Sequence, residues 1–268
     1  MNFDFSGKVV VVVGGTSGIN RGIAEHFAAA GAKVAVASRS QEKVDDTVAS
    51  LKEKGAAAAM GFVCDVRNLS EVEAGLAQVH QAWGDFDSLV SGAAGNFPAL
   101  ASKMSANAFR TVVDIDLMGT YHVMRSAYPF MKRPGSSIIN ISAPQAYLPY
   151  EAQSHVCAAK AGVDMLTRTT AMEWGSEGIR VNSVVPGAID GTEGMKRLAP
   201  TEPIRQMILD DTPMQRFGTP ADVANLCLFL NSELATFISG QIIAVDGALY
   251  QRGSGTFNRK LAEPLYKM

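Results

Sequence analysis

Cysteine is scarce in this 268-residue chain, and the few present exclude two classes of protein. Cys64, Cys157 and Cys227 are widely spaced and odd in number. They form no CxxC pair and no zinc-ligand spacing, and a disulfide framework is excluded, so a reducing cytoplasmic setting is expected. His26, His80 and His122 have no carboxylate or cysteine at ligand spacing, so no catalytic metal is expected. Excess positive charge is missing as well. The formal net charge is −2, which gives no reason to expect a nucleic-acid partner. No apolar run is long enough to span a bilayer, so no membrane partner is expected. The opening Met1-Asn2-Phe3-Asp4-Phe5 lacks the basic start and apolar stretch of a signal peptide.

What is present is an alternation of two kinds of segment. Residues 8–13 are a continuous β-branched run after the first lysine, which reads as a strand buried on both faces. Further strands are expected at 33–37, up to 64, at 86–90, 137–141, 179–184 and 241–245. Helical patterns lie between them, at about 19–30, 42–54, 69–83, 106–132, 153–174 and 221–230. Residues 190–212 are polar and interrupted by proline, and read as a mobile helical flap. Strands alternating with helices imply parallel βαβ units and an α/β fold. No linker, repeat or low-complexity stretch divides the chain, so residues 1–268 are expected to form a single domain.

The first strand runs into Val13-Gly14-Gly15-Thr16-Ser17-Gly18-Ile19-Asn20. Glycines at such a turn let the backbone approach a pyrophosphate, and the helix that follows offers free N–H groups and a positive dipole end. A glycine-rich turn occurs in other α/β proteins too, but its position directly behind a buried first strand favours a dinucleotide. The fold expected is therefore a Rossmann-type doubly wound parallel sheet of about seven strands, with helices on both faces. Asn20 stands where a third glycine is usual, and asparagine tolerates positive φ, so the turn is expected to survive. The second strand ends Ala37-Ser38-Arg39-Ser40. A cation and hydroxyls in place of an acid suit a ribose 2′-phosphate, so NADP(H) is the expected cofactor, unless Arg39 is merely solvated. Asp65 is placed to accept from the adenine amine.

These residues, together with Ser91-Gly92-Ala93-Ala94-Gly95, Lys160 and Pro186-Gly187, resemble the short-chain dehydrogenase/reductase family along nearly the whole chain. The resemblance implies cofactor contacts at Gly14, Thr16, Ser17, Gly18, Ile19, Ser38, Arg39, Asp65, Val66, Ala93, Ala94, Gly95, Lys160, Pro186, Gly187, Ile189 and Thr192. The family's usual catalytic set is serine, tyrosine and lysine, with the tyrosine four residues before the lysine. Here Lys160 is present, Val156 holds the tyrosine position, and Ala143 holds the serine position behind Ser142. Ordinary carbonyl reduction needs that tyrosine as proton donor.

Three stretches are similar to a branch of the family that lacks the tyrosine, the peroxisomal type of 2,4-dienoyl-CoA reductase. They begin at Ala93-Ala94-Gly95-Asn96-Phe97, Asn107-Ala108-Phe109-Arg110 and Gly191-Thr192-Glu193-Gly194. The resemblance implies Asp116 and Lys160 as catalytic residues, with Arg67, Phe97, Ser105, Asn107 and Arg197 at the acyl-CoA substrate. The segment Ser105-Ala106-Asn107 departs from the branch at its middle residue. Lys196 and Arg197 would meet coenzyme A phosphates, or else be surface charges. Tyr266-Lys267-Met268 is not a peroxisomal tripeptide.

The implied chemistry is hydride transfer from NADPH to the δ-carbon of a dienoyl thioester, collection of charge on the thioester oxygen, and protonation at the α-carbon to give a trans-3-enoyl-CoA. An aspartate that donates this proton must be kept protonated by its surroundings or must act through water. Asp116 could alternatively cap or pair within its helix. His155 fits a satisfied structural histidine better than a catalytic one, and Tyr147 or Tyr150 could lend a hydroxyl to the substrate. Another enoyl or keto reductase that recruits one of these tyrosines, or a catalytically silent NADPH-binding protein, are the competing readings. Small residues along 106–132 and 153–177 permit close helix approach, and the resemblance implies that these helices pair between subunits, so a homotetramer is expected.

Overall fold

A computed structural model describes residues 3–251, without the side chains of residues 197 and 198. Seven strands form one sheet: β1 Val9–Val13, β2 Lys33–Ser38, β3 Ala58–Val63, β4 Ser88–Ser91, β5 Ser137–Ile141, β6 Arg180–Pro186 and β7 Ile242–Val245. Their order is β3-β2-β1-β4-β5-β6-β7, and every pairing is parallel. The helices are α1 Gly18–Ala29, α2 Gln41–Glu53, α3 Leu69–Trp83, α4 Ala106–Val113, α5 Gly119–Ala127, α6 Ser154–Trp174, α7 Glu193–Leu198, α8 Glu202–Asp211 and α9 Pro220–Asn231.

The five valines of β1 show why its sequence does not alternate. Val10 and Val12 enter a core with Ile23 and Phe27 of α1, Leu51 of α2 and Val223 and Cys227 of α9. Val9, Val11 and Val13 enter a second core on the opposite face, with Leu76 and Val79 of α3 and Val123 and Met124 of α5. A strand covered by helices on both sides has no polar face, so the period-two signal vanishes. Each buried valine removes enough apolar surface to favour the fold by about 1.5–3 kcal/mol. The two cores thus hold the central strands rigidly.

Strand β1 lies between β2 and β4, so successive crossovers leave it in opposite directions and open a crevice above its carboxyl end. Gly14 lies there at φ +79°, and a Cβ on it would stand 2.7 Å from the Ala93 nitrogen in the loop after β4. Only glycine permits both the left-handed turn and that approach. Asn20 corrects the expectation drawn from its position. It lies inside α1 and is absent from the non-glycine residues with positive φ. Its Nδ2 instead donates to the Gly92 carbonyl at 2.7 Å, tying the first helix to the loop after β4.

The helical run expected over 106–132 is broken. Asp114–Met118 form a wider π-type turn between α4 and α5, where Thr120 Oγ1 donates to the Asp116 carbonyl at 2.7 Å. An inserted residue of this kind shifts the side chains it carries relative to a regular helix face. The segment 190–212 folds as α7 and α8, with Thr192 capping α7 by accepting from the Met195 N–H at 3.2 Å. The carboxyl-terminal residues 252–268, including the tripeptide 266–268, lie outside the described residues. Among the described residues no helix is long and apolar enough to cross a membrane.

Candidate active site

Two connected hollows lie over the carboxyl ends of the strands. The first is a groove of about 490 Å³ that runs from the turn after β1 past the ends of β2 and β3 to the loop after β4. Gly14, Thr16, Ser17, Ser38, Arg39, Asp65, Val66, Ala93, Ala94 and Gly95 all line it. The N-terminus of α1 has no side-chain cap, because Ser17 makes none, so its first N–H groups are left for a ligand. Gly18, at φ +53°, stands opposite Thr192, whose Cβ is 3.6 Å from a Cβ built there. Ser40 caps α2 by accepting from the Lys43 N–H at 3.4 Å. Lys43 itself faces the groove beside Arg39. This second cation was not anticipated from the sequence, although it lies four residues after Arg39, one turn into the next helix. A glycine cradle, an uncapped helix start and two exposed cations fit a phosphorylated nicotinamide dinucleotide.

The second hollow, of about 750 Å³, shares Ala94, Gly95 and Asn96 with the first. Its floor carries Asp116, Lys160, Pro186, Gly187, Ile189 and Thr192, and Ile19 lies at its edge. Asp116 and Lys160 are nearly inaccessible, with side-chain exposures of 1% and 6%. Asp116 Oδ1 accepts the Gly95 N–H at 2.7 Å, and Oδ2 lies 3.4 Å from Lys160 Nζ. Lys160 donates to the Ile141 carbonyl at 3.0 Å, at the end of β5. Asp116 therefore leaves the helix surface and joins β4, β5 and α6, which sets aside the reading of a carboxylate paired within its own helix. Both of its contacts suit an ionised carboxylate, an N–H donor and an ammonium. Val156 and Ala143, at the usual tyrosine and serine positions, line the same hollow with apolar surface. Leu148, Pro149, Met195 and Ile208 extend that surface, the last two from α7 and α8.

Other expected substrate residues are less close. Phe97 lines the groove and stacks at a tilt on His155, with ring centroids 4.5 Å apart. Arg67 lines neither hollow: its guanidinium grips Asp65, with Nε 3.0 Å from Oδ1. The Arg67 guanidinium holds the Asp65 carboxyl below the usual carboxylate range. Ser105 caps α4 by accepting the Ala108 N–H at 3.1 Å, and Asn107 is exposed two residues on; neither lines a hollow. Capping uses the Ser105 hydroxyl locally, which sequence matching does not reveal. Lys196 pairs with Glu193 at 3.2 Å, and the side chain of Arg197 lies outside the described residues.

His155 is fully buried between Phe97 and Phe109, with the Phe97 backbone as a polar neighbour. Burial pushes its imidazole below the ordinary histidine value, against a smaller opposing influence from the Phe97 backbone. Tyr147 is half exposed and outside the hollow, whereas Tyr150 lines it. Tyr250, unnoticed in the sequence, lines it too, and its hydroxyl lies 3.4 Å from the Pro186 carbonyl. Burial raises both phenols. An amide cluster was missed as well. Gln153 Oε1 accepts from Gln145 Nε2 at 2.9 Å and from Asn96 Nδ2 at 3.1 Å. Its spacing of three from Val156 and seven from Lys160, which places all three on one helix face, was the available signal. Among the described residues no cluster of three histidine, cysteine, aspartate or glutamate side chains could hold a metal.

Comparison with known proteins covers nearly the whole chain. A family model described as enoyl-(acyl carrier protein) reductase matches residues 13–249. The peroxisomal 2,4-dienoyl-CoA reductase of Saccharomyces cerevisiae, described as (3E)-enoyl-CoA-producing, is 37% identical over 98% of this chain and 91% of its own length. The protein of the same description from Rattus norvegicus is 41% identical over 90% of this chain and 82% of its own. Among solved structures, a short-chain type dehydrogenase/reductase from Mycobacterium ulcerans superposes with a TM-score of 0.89 at 30% identity, covering 97% of this chain and 96% of that one.

Proposed function

The chain belongs to the short-chain dehydrogenase/reductase family, and from that membership we propose that it reduces a 2,4-dienoyl-CoA to an enoyl-CoA with NADPH. The observation that carries this reading is the pairing of Asp116 with Lys160 on the floor of a hollow where Val156 and Ala143 replace the usual tyrosine and serine. NADPH is favoured over NADH by Arg39 and Lys43 at the groove's end, both exposed and free to meet a 2′-phosphate.

When bound, the reduced nicotinamide supplies a hydride at the far end of the conjugated system. The residues of the chain do the rest. Lys160 presents one N–H to Ile141 and faces Asp116, which leaves donor capacity toward ribose hydroxyls and the substrate. Asp116 Oδ2 lies near the ammonium without a hydrogen bond of its own, and is placed to hold a water. That water gives a proton to the α-carbon, the hydroxide left behind takes a proton from the Lys160 ammonium, and Lys160 regains its proton from solvent once the (3E)-enoyl thioester leaves. Asp116 thus works through water, because its contacts are those of an ionised group and not of a proton donor. Leu148, Pro149, Met195 and Ile208 cover the acyl chain and exclude bulk water. The segment 190–212 acts as the flap over the acyl chain, within a single domain. Subunits associate as a homotetramer through α5 and α6, where Tyr121, Met165 and Met172 are exposed. The free thiols of Cys64, Cys157 and Cys227 support a cytoplasmic setting.

The test is NADPH oxidation with a 2,4-dienoyl-CoA, followed by identification of the product by mass spectrometry and NMR. A 3-enoyl-CoA formed in step with cofactor oxidation is expected. No oxidation, or faster turnover of 3-oxoacyl-CoA, would overturn the proposal.

A further inference from the structure

Reduction of a dienoyl thioester places negative charge on the thioester oxygen, and the tyrosine and serine that would meet an oxygen in ordinary family members are absent here. Val156 and Ala143 have no hydrogen to donate. Among the groups with hydrogens to donate that line the same hollow, Tyr150, Gln153 and Tyr250 are uncharged. Gln153, at the N-cap of α6, is three residues before Val156 and seven before Lys160, so all three share one helix face, and all three line the hollow.

Its amide is held by two neighbouring amides. Gln153 Oε1 accepts two amide N–H groups, from Gln145 Nε2 at 2.9 Å and Asn96 Nδ2 at 3.1 Å. Its carbonyl end is engaged by these two amides, which line the hollow beside it, and its NH₂ end is left for a ligand. Gln153 Nε2 makes no hydrogen bond to any described residue, although the residue is only 8% exposed. The backbone holds the side chain in place as well. Ala152, just before it, adopts φ +59°, a conformation that a residue with a Cβ rarely takes. The Ala152 carbonyl accepts the Ala99 N–H at 2.8 Å, which joins this turn to the loop after β4. Strain of this kind persists where the surroundings impose it, and it concentrates at functional sites.

We infer that Gln153 is the oxyanion donor of this enzyme: its Nε2 hydrogen-bonds the thioester oxygen as charge develops there, and Gln145 and Asn96 are positioning residues that aim it. The inference rests on the dienoyl thioester reading. A neutral amide suits this oxygen because it stabilises charge without giving up a proton, so the electron pair stays in the dienolate until the α-carbon is protonated. The N–H is fixed before the reaction, so little reorganisation is needed when charge arrives.

Two substitutions separate this role from a structural one. Gln153→Glu keeps the acceptor for Gln145 and Asn96 but removes the donor and adds a negative charge. Gln153→Met removes both. The donor role predicts that kcat for a 2,4-dienoyl-CoA falls by about 10²–10³ in both variants, with Glu at least as poor as Met, while NADPH affinity is retained. A second readout needs no turnover. Binding of the dienoyl-CoA without cofactor should red-shift its ultraviolet absorption in the wild type, because a donor at the carbonyl polarises the conjugated system, and the shift should disappear in Gln153→Met. Wild-type kcat in a Gln153→Glu protein that melts normally would overturn the inference, as would an unchanged red shift in Gln153→Met. If the wild type neither binds nor turns over dienoyl-CoA, the substrate reading itself fails, which these variants do not enter.

Discussion

Removing both members of the Asp116–Lys160 pair should cost the protein less than the sum of removing each one alone. The two side chains are almost fully buried, 3.4 Å apart, and each has a single further partner: the Gly95 N–H for Asp116 and the Ile141 carbonyl for Lys160. Lys160→Met leaves a buried carboxylate facing apolar surface. Loss of one partner from such a pair costs about 3–5 kcal/mol, and the lower end applies because the hollow admits water. For a chain of this size about 3 kcal/mol lowers the melting temperature by roughly 6–12 °C. Asp116→Asn keeps an acceptor for Gly95 and strands the ammonium, at about 1.5–3 kcal/mol. The double variant removes both charges, so its loss should fall short of the sum by about 1–3 kcal/mol. Denaturant unfolding of the four proteins completes the cycle. Additivity within about 0.5 kcal/mol would refute the coupling read from the geometry. Turnover gives an independent check: Asp116→Asn should lower kcat for a dienoyl-CoA by about 10²–10⁴. A stable Asn variant with full activity would remove Asp116 from the catalytic set.

Arg39→Ala should weaken NADPH binding roughly tenfold or more, the worth of a charge-assisted contact at about 1.5–3 kcal/mol, and leave NADH nearly unchanged in fluorescence titrations. Equal losses for both cofactors would reject the 2′-phosphate assignment. His155 carries a pH signature. Its folded value is depressed by burial, so the unfolded chain binds more protons just below the ordinary histidine value of about 6.5. The stability it contributes is present above that pH and is lost as pH falls toward the folded value. Thermal melts between pH 5 and 8 should show this slope, and His155→Leu should reduce it; an unchanged slope would assign it elsewhere. Light scattering at micromolar concentration should report a tetramer, and Met165→Glu on the exposed face of α6 should dissociate it. A wild-type monomer would reject that assembly.

The sheet was legible because its signals are local. The valines of β1, the glycines of the turn behind it and the alternation of segments depend on residues next to one another. Residues 137–141 were expected as a strand and are β5. Boundaries slipped where pairing, not composition, decides: Phe86 was expected in a strand but forms an isolated bridge with Met131, and β4 begins at Ser88. Arg67 and Ser105 match substrate positions by residue type, yet their side chains are committed to Asp65 and to a helix cap. A spacing rule carries no information about which partner a long or polar side chain will find.

The sequence by itself determined the α/β class, the nucleotide turn, the cationic end of β2 and the absence of tyrosine and serine from their usual places, because each of these is a statement about residue identity at short range. Only the tertiary structure decided what Asp116 faces. A π-type turn interrupts the expected helix where Asp116 stands, and the loop after β4 and the end of β5 supply its surroundings. The same holds for Gln153, whose amide is oriented by Asn96 and Gln145, 57 and 8 residues away. Hydrogen-bond direction at such a site depends on atoms that meet only when the strands are paired and the helices packed, and that meeting is a property of the folded chain.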